Sequence, residues 1–220
     1  MSASSAPRCF AVPAATVLLV TLAACAGSSG KGTTVEVKGD PMEVVALAHT
    51  AIAADSLDSD AWFRLADAWQ RANRPDSAVV AFESLLERWP ESVEAVVHYG
   101  LALEEARRFE DALAQYRRAI ELDPKDPTPR VNLGSLLYFN FKRTFEAKEA
   151  LSAALELDPD HSDAHFNLGV LFADARMFKE AKREWEFVLD KTPDSPAGAL
   201  ARENLERISP LFQEADAPTE

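Results

Sequence analysis

The chain has 220 residues, of which 47% are hydrophobic and 27% charged, and this is the composition of a folded globular protein with one or two domains. Acidic residues outnumber basic ones by 36 to 23, which gives a net charge of −13. Because such a surface repels phosphate backbones, the composition argues against a general nucleic-acid-binding function, and we expect no nucleic-acid partner.

The first 24 residues have the layout of a secretory signal. A single charged residue, Arg8, precedes an apolar run over residues 10–24 that is interrupted by Pro13. A membrane-spanning helix needs about 20 apolar residues, so this shorter run predicts a signal peptide over residues 1–24 that is removed on export.

The run ends in Leu22-Ala23-Ala24-Cys25, which resembles the lipobox of bacterial lipoproteins. The resemblance implies that Cys25 becomes the acylated N-terminus and a lipid anchor in the membrane. Ala26 after the cysteine implies sorting to the outer membrane. We therefore expect the protein in the cell envelope, on the periplasmic face of the outer membrane. An ordinary cleavage site with an incidental Cys25 is the alternative.

Residues 25–40 follow as a flexible linker behind the acylated cysteine, because this stretch is rich in Gly and Ser and has no helical period. Fifteen such residues span on the order of 20 Å. Residues 41–58 have the apolar pattern of one helix, which predicts a half-repeat at the start of the folded part.

Prolines recur at almost constant intervals in the middle of the chain. Pro90, Pro124, Pro159 and Pro193 are separated by 34, 35 and 34 residues. Each lies 12 residues after an alanine, and each alanine follows a small residue by 12 or 13 positions: Ala66 with Ala78, Gly100 with Ala112, Gly134 with Ala147, and Gly169 with Ala181. The period resembles that of tetratricopeptide repeats.

This resemblance covers four repeats, at residues 59–92, 93–126, 127–161 and 162–195. It implies an all-α fold, an α-solenoid of antiparallel hairpins in which helix A and helix B of each repeat meet at the small residues. Proline ends each helix B because it restricts the residue before it and has no amide donor. The third repeat is one residue longer, and the surplus lies between Leu137 and Glu146, where helix A turns into helix B.

The end of the chain predicts a cap and a tail. Residues 196–208 form an amphipathic pattern that suits the solvated capping helix of a solenoid. Pro210 is expected to end this helix, and residues 209–220 are expected to form an acidic disordered tail.

Catalytic motifs are absent from the sequence. The densest cluster of candidate ligands is Asp160, His161, Asp163 and His165, but it lacks the HExxH pattern and crosses a loop between repeats. We therefore predict no enzyme activity, no cofactor and no metal site. A metal-dependent hydrolase centred on His161 and His165 remains a remote alternative.

The resemblance also implies where a partner binds. In this family, positions 2, 5, 6, 9, 12 and 13 of helix A line a concave groove that takes a protein or peptide segment. The predicted groove residues are Phe63, Val97, Leu101, Val131, Asn132, Tyr138, Phe166, Asn167 and Val170. The groove is apolar in the middle with acids at its ends, which suits an amphipathic segment with basic flanks.

Chaperone-binding members of the family hold a C-terminal carboxylate with a Lys/Arg–Asn clamp. Phe63, Asp67, Thr128 and Asn132 occupy the corresponding slots here, so the basic residues of that clamp are missing. The predicted function is an envelope-anchored scaffold. Its layout resembles the pilotin-type lipoproteins that assemble type IV pilus secretins. An adaptor for peptidoglycan enzymes or for outer-membrane protein insertion is the alternative.

Overall fold

The computed structural model describes residues 40–215. Within that range the chain forms ten helices and no strand, which confirms the all-α solenoid. The helices are α1 Pro41–Ala54, α2 Ser59–Arg71, α3 Pro75–Arg88, α4 Val93–Glu105, α5 Phe109–Leu122, α6 Thr128–Phe139, α7 Thr144–Leu157, α8 Ser162–Asp174, α9 Phe178–Lys191 and α10 Pro196–Ala215. The predicted signal peptide, Cys25 and the linker up to residue 39 lie outside the described residues, as do residues 216–220.

Helices α2, α4, α6 and α8 are the A helices of the four repeats, and α3, α5, α7 and α9 are the B helices. Each A helix packs against its own B helix, and each B helix packs against the next A helix. Helix α1 packs against α2 like a B helix without its partner, through Val44, Val45 and Ala48. None of the helices between residues 40 and 215 has the length and apolar character needed to cross a bilayer.

The turn inside each hairpin is closed by a residue with positive φ. In three repeats the turn has three residues, and its second residue is Asn73 (φ 55°), Arg107 (φ 60°) or Arg176 (φ 60°). The next backbone N–H then donates to a carbonyl five residues earlier, for example Arg74 to Trp69 at 2.9 Å. This is the hydrogen bond that closes a helix ending in the left-handed conformation.

The third repeat has a four-residue turn, 140–143. Here Lys142 has φ 58°, and the Arg143 N–H donates to the Leu137 carbonyl at 2.9 Å, six residues earlier instead of five. The additional residue of this repeat is thus absorbed by the turn. The flanking helices keep 12 and 14 residues, so the packing of the hairpin is undisturbed.

Large side chains of the B helices pack onto the small residues of the A helices. A methyl group added at Gly100 would lie 2.5 Å from the Tyr116 ring, and one at Gly169 would lie 2.3 Å from the Trp185 indole. At Gly134 the corresponding distance to Leu151 is 2.7 Å. These distances are too short for carbon atoms, so the glycines set how closely the two helices approach.

The expectation that the last helix ends at residue 208 is wrong. Helix α10 continues through Pro210 to Ala215, so residues 209–215 are helical. Pro210 has no N–H for the carbonyl of Glu206, but both residues are exposed and water can satisfy that carbonyl. The buried residues Ala197, Ala201 and Ile208 hold the helix on the end of the solenoid.

Candidate protein-binding face

The four A helices line one face of the solenoid, here called the A-helix face. The nine predicted groove residues all belong to these helices, but their accessibility differs. Five of them are buried: Val97, Val131, Asn132, Phe166 and Val170. Four are partly exposed: Phe63, Leu101, Tyr138 and Asn167. A partner in contact with this face would therefore touch the four partly exposed residues, and the five buried residues form the floor beneath them.

Hydrogen bonds link successive A helices across this face. Asn167 Nδ2 donates to Ser135 Oγ at 2.8 Å, and the Tyr138 hydroxyl donates to the Asp174 carboxylate. The side-chain amide of Gln70 donates to Glu105. The last two bonds join position 12 of one repeat to position 13 of the next. These bonds link neighbouring repeats and use one amide donor of Asn167.

Between the second and third repeats this pattern is replaced. Position 12 of the second repeat is Glu104, and position 13 of the third repeat is the aromatic Phe139. Glu104 turns instead toward its own B helix, where the Tyr116 hydroxyl donates to its carboxylate. Burial raises the pKa of Glu104 to about 7, although the bond from Tyr116 acts in the opposite direction.

Other carboxylates on the A-helix face are also partly desolvated. Burial raises the pKa of Asp67, and the nearby Arg71, 3.9 Å away, only partly offsets this. Burial likewise raises the pKa of Glu105 and of Asp163. An added cation stabilises the charged form of a carboxylate that burial makes costly to ionise, so this face favours a basic partner.

The apolar part of the face begins with a ring cluster between the first two repeats. The Phe63 ring lies edge-on to His98 at 5.0 Å and to Phe82 at 5.8 Å. Burial lowers the pKa of His98, so its imidazole is neutral at physiological pH and acts as a core ring. The sequence pointed to Phe63 but gave no sign that His98 completes its packing.

His165 is held between Glu184 and Pro159 by hydrogen bonds, an arrangement here called the His165 clamp. Its Nδ1 lies 2.7 Å from Glu184 Oε2 and its Nε2 lies 2.9 Å from the Pro159 carbonyl oxygen. A carboxylate and a carbonyl both accept, so both contacts are hydrogen bonds only when both ring nitrogens donate, which is the imidazolium form. Burial opposes this charge, but the bonds to Glu184 and Pro159 prevail and raise the pKa of His165.

This clamp bears on the metal alternative. Both nitrogens of His165 are engaged, so neither can ligate a metal while the clamp is closed. In residues 40–215 no group of three or more His, Cys, Asp and Glu side chains is placed to hold a metal ion. The cluster of Asp160, His161, Asp163 and His165 thus forms a junction between repeats, where His161 precedes the first turn of α8.

The clamp predicts a pH-dependent contribution to stability. The pKa of His165 is higher in the folded state than its unfolded value of about 6.5, so the contribution is complete below that pH and is lost as the pH rises through the folded value. We expect His165→Gln to lower the free energy of unfolding by about 1 kcal/mol at pH ~5.5 and by much less at pH ~9. Urea unfolding at both pH values measures this.

The control for this experiment is His49→Gln, which changes an exposed histidine of α1. Glu184 keeps its charge at pH ~5.5, because His165 and Arg183 lower its pKa despite its burial. A loss of stability that is equal at both pH values would contradict the imidazolium assignment.

The fold and this face define a helical-repeat solenoid of the protein-interaction type. The profile of the tetratricopeptide repeat family matches residues 70–127 and 137–196, which is more than half of the chain. The chain belongs to the tetratricopeptide repeat family.

Individual relatives share only part of their length or sequence with this chain. Cell division cycle protein 27 homolog A of Arabidopsis thaliana is 25% identical over 119 residues, which are 54% of this chain and 16% of that protein. The chain therefore spans a small part of this curated relative. The crystal structure of MamA superposes with a TM-score of 0.61 at 19% identity, covering 75% of this chain and 96% of that one.

A third similar protein is YrrB, whose structure is described as a tetratricopeptide repeat protein with an unusual peptide-binding site. It superposes with a TM-score of 0.56 at 25% identity, covering 74% of this chain and 84% of that one. These likenesses confirm the fold.

Proposed function

We propose that this protein is a scaffold that binds an amphipathic protein segment along its A-helix face. One observation carries the proposal: the face combines partly exposed apolar side chains, such as Leu101 and Tyr138, with carboxylates whose ionisation burial disfavours, among them Glu104 and Glu105. The apolar residues of a bound segment would cover the apolar side chains of the face, and its Lys or Arg residues would stabilise the charged form of the carboxylates.

The likeness to YrrB supports a peptide as the partner, because that protein has a peptide-binding site on the same kind of fold. The missing basic clamp indicates that the partner is not held by a C-terminal carboxylate. Recognition would come from side chains along the segment, which is consistent with an acidic rather than a basic face.

We propose further that the scaffold works at the cell envelope, anchored through an acylated Cys25. The support is the lipobox-like sequence at residues 22–25 after an apolar run. Assembly of a type IV pilus secretin fits this layout. An adaptor for peptidoglycan enzymes or for outer-membrane protein insertion is the alternative, and the identity of the captured partner separates them. Cys25→Ser should release the protein from the membrane fraction; continued attachment would contradict the anchor.

The A-helix face is tested by a charge-changing variant. Leu101→Lys with Glu105→Lys replaces one partly exposed apolar residue and one carboxylate, both outside the buried floor. We expect affinity for the basic amphipathic partner to fall at least about tenfold, because an attraction becomes a repulsion. Crosslinked capture from native envelopes, followed by titration with the captured segment, measures the change.

The matched control is Val80→Lys with Glu87→Lys, which replaces one apolar residue and one carboxylate by lysine on the exposed face of α3. This control should capture the partner as the native protein does. Equal capture by both variants would place the interface away from the A-helix face. Helical content, measured by circular dichroism, should be unchanged in both.

A further inference from the structure

The two edges of the solenoid differ in charge. Successive helices are antiparallel, so all turns inside hairpins lie on one edge, the turn edge, and all loops between hairpins lie on the other, the junction edge. The turn edge comprises residues 72–74, 106–108, 140–143 and 175–177. The junction edge comprises residues 55–58, 89–92, 123–127, 158–161 and 192–195.

The loops of the turn edge have six basic residues and no acidic one: Arg74, Arg107, Arg108, Lys142, Arg143 and Arg176. Two of these bases are paired with acids in the first turn of the next helix, Arg108 with Asp111 and Arg143 with Glu146, and Lys142 and Arg176 are not. The junction edge has eight acidic residues and one basic one, Lys125. The acids are Asp55, Asp58, Glu91, Asp123, Asp126, Asp158, Asp160 and Asp194. A chain with a net negative charge thus concentrates positive charge in the loops of one edge.

Helix electrostatics do not account for this asymmetry. Helix C-termini favour basic residues and N-termini favour acidic ones, but both edges contain both kinds of terminus. Some junction acids do cap helices; Asp58, for example, accepts from the Ala61 N–H at 2.9 Å. Glu91 and Asp194 do not, and within residues 40–210 their side chains make no hydrogen bond or ion pair. The same holds for Lys142 and Arg176 on the turn edge.

Exposed apolar side chains accompany the charges. Phe145, next to the turn edge, is 73% exposed and occupies the second position of α7, where the other three B helices have a charged residue. Met177, in the following turn, is 41% exposed. The junction edge has exposed leucines within or next to its loops: Leu57, Leu122 and Leu157. Both edges therefore offer apolar contacts among their charges, as protein interfaces do.

We propose that the turn edge docks on the junction edge of a second copy of this chain. The charges are complementary, and the bases of one edge and the acids of the other recur with the same repeat of about 34 residues, so side-by-side copies match repeat for repeat. The two surfaces differ, so the contact is heterologous and extends into a row of molecules. The A-helix face stays open, and the inference does not depend on the proposed function.

An anionic lipid surface could also attract the turn edge. A lipid surface leaves the acids and leucines of the junction edge unexplained. A second copy accounts for both edges.

The test uses two charge-reversed variants of the full chain. Lys142→Glu with Arg176→Glu leaves the turn edge with four basic and two acidic residues instead of six basic ones. Glu91→Lys with Asp194→Lys leaves the junction edge with six acidic and three basic residues instead of eight and one. Sedimentation velocity up to about 1 mM chain, at roughly 0.01 M and 1 M salt, measures self-association. We expect the native chain to associate at low salt and not at high salt. Each variant alone should associate at least about tenfold more weakly. An equimolar mixture should associate again, because the unchanged junction edge of the first variant then meets the unchanged turn edge of the second.

Arg117→Glu with Arg207→Glu is the control for the first variant, because it lowers the net charge by the same amount on exposed faces of α5 and α10. This control should associate like the native chain. A native chain that stays monomeric at low salt, or a mixture that does not recover association, would overturn the proposal. So would native monomers that bind phosphatidylglycerol vesicles through Lys142 and Arg176.

Discussion

Trp185→Ala is expected to lower the free energy of unfolding of the fourth repeat by about 3–5 kcal/mol, the range for removing a large aromatic side chain from a packed core. Trp185 is 2% exposed, and its indole lies against Gly169 with no room to spare. Its Nε1–H donates to the Phe166 carbonyl at 3.2 Å. The alanine variant therefore loses the contacts between α8 and α9 and leaves a cavity that the rigid hairpin cannot close.

The repeat architecture determines how this loss is observed. Each repeat contacts only its neighbours, so a defect in the last hairpin opens that end of the solenoid first. Hydrogen exchange should show lost protection over α8–α10 and retained protection over α2–α5. Trp185→Phe serves as the control: it keeps most of the ring, loses one hydrogen bond and should cost about 1 kcal/mol. Uniform loss of protection along the chain would contradict the local packing described here.

Gly100→Val is expected to destabilise the second repeat by about 2–3 kcal/mol, even though valine is a better helix former than glycine. The first added carbon would lie 2.5 Å from the Tyr116 ring, which is fully buried and hydrogen-bonded to Glu104. The ring has no free space to enter, so α4 and α5 would have to move apart.

A double-mutant cycle isolates this contact. In a Tyr116→Leu background the same Gly100→Val change should cost less by about 1–2 kcal/mol, because the smaller side chain leaves room. Ala114→Val, at an exposed site of α5, measures the cost of valine in a helix without a packing conflict. Additive effects of Gly100→Val and Tyr116→Leu would show that helix spacing is not set at this contact.

The fold was predictable because the residues that set the packing between helix A and helix B recur in every repeat. Gly100, Gly134 and Gly169 recur at one position and each lies against a large residue of helix B. The 35-residue spacing placed the additional residue of the third repeat in a turn, and the Arg143–Leu137 hydrogen bond shows how the turn takes it up. The continuation of α10 through Pro210 was not predictable, because proline breaks buried helices and is tolerated where water satisfies the freed carbonyl.

The candidate site was predictable only in outline. Sequence position assigns Val97, Val131 and Phe166 to helix A, but their burial depends on how far the neighbouring A helix covers them. The His165 clamp was missed because Glu184 and Pro159 come from other elements, and no local pattern links them. The raised pKa of Glu104 also follows from its burial in the folded chain, and the sequence alone does not show which carboxylates are buried.

The A-helix face is the proposed binding surface for a protein segment. The most direct test places a photo-crosslinking amino acid at Leu101 on that face and, in a second protein, at the 60% exposed Val80 on the opposite side of the hairpin layer. After irradiation of intact cells, we predict a discrete crosslinked partner from position 101 and none from position 80, with the crosslinked peptide rich in apolar and basic residues. A partner crosslinked from position 80 but not from position 101 would contradict the claim.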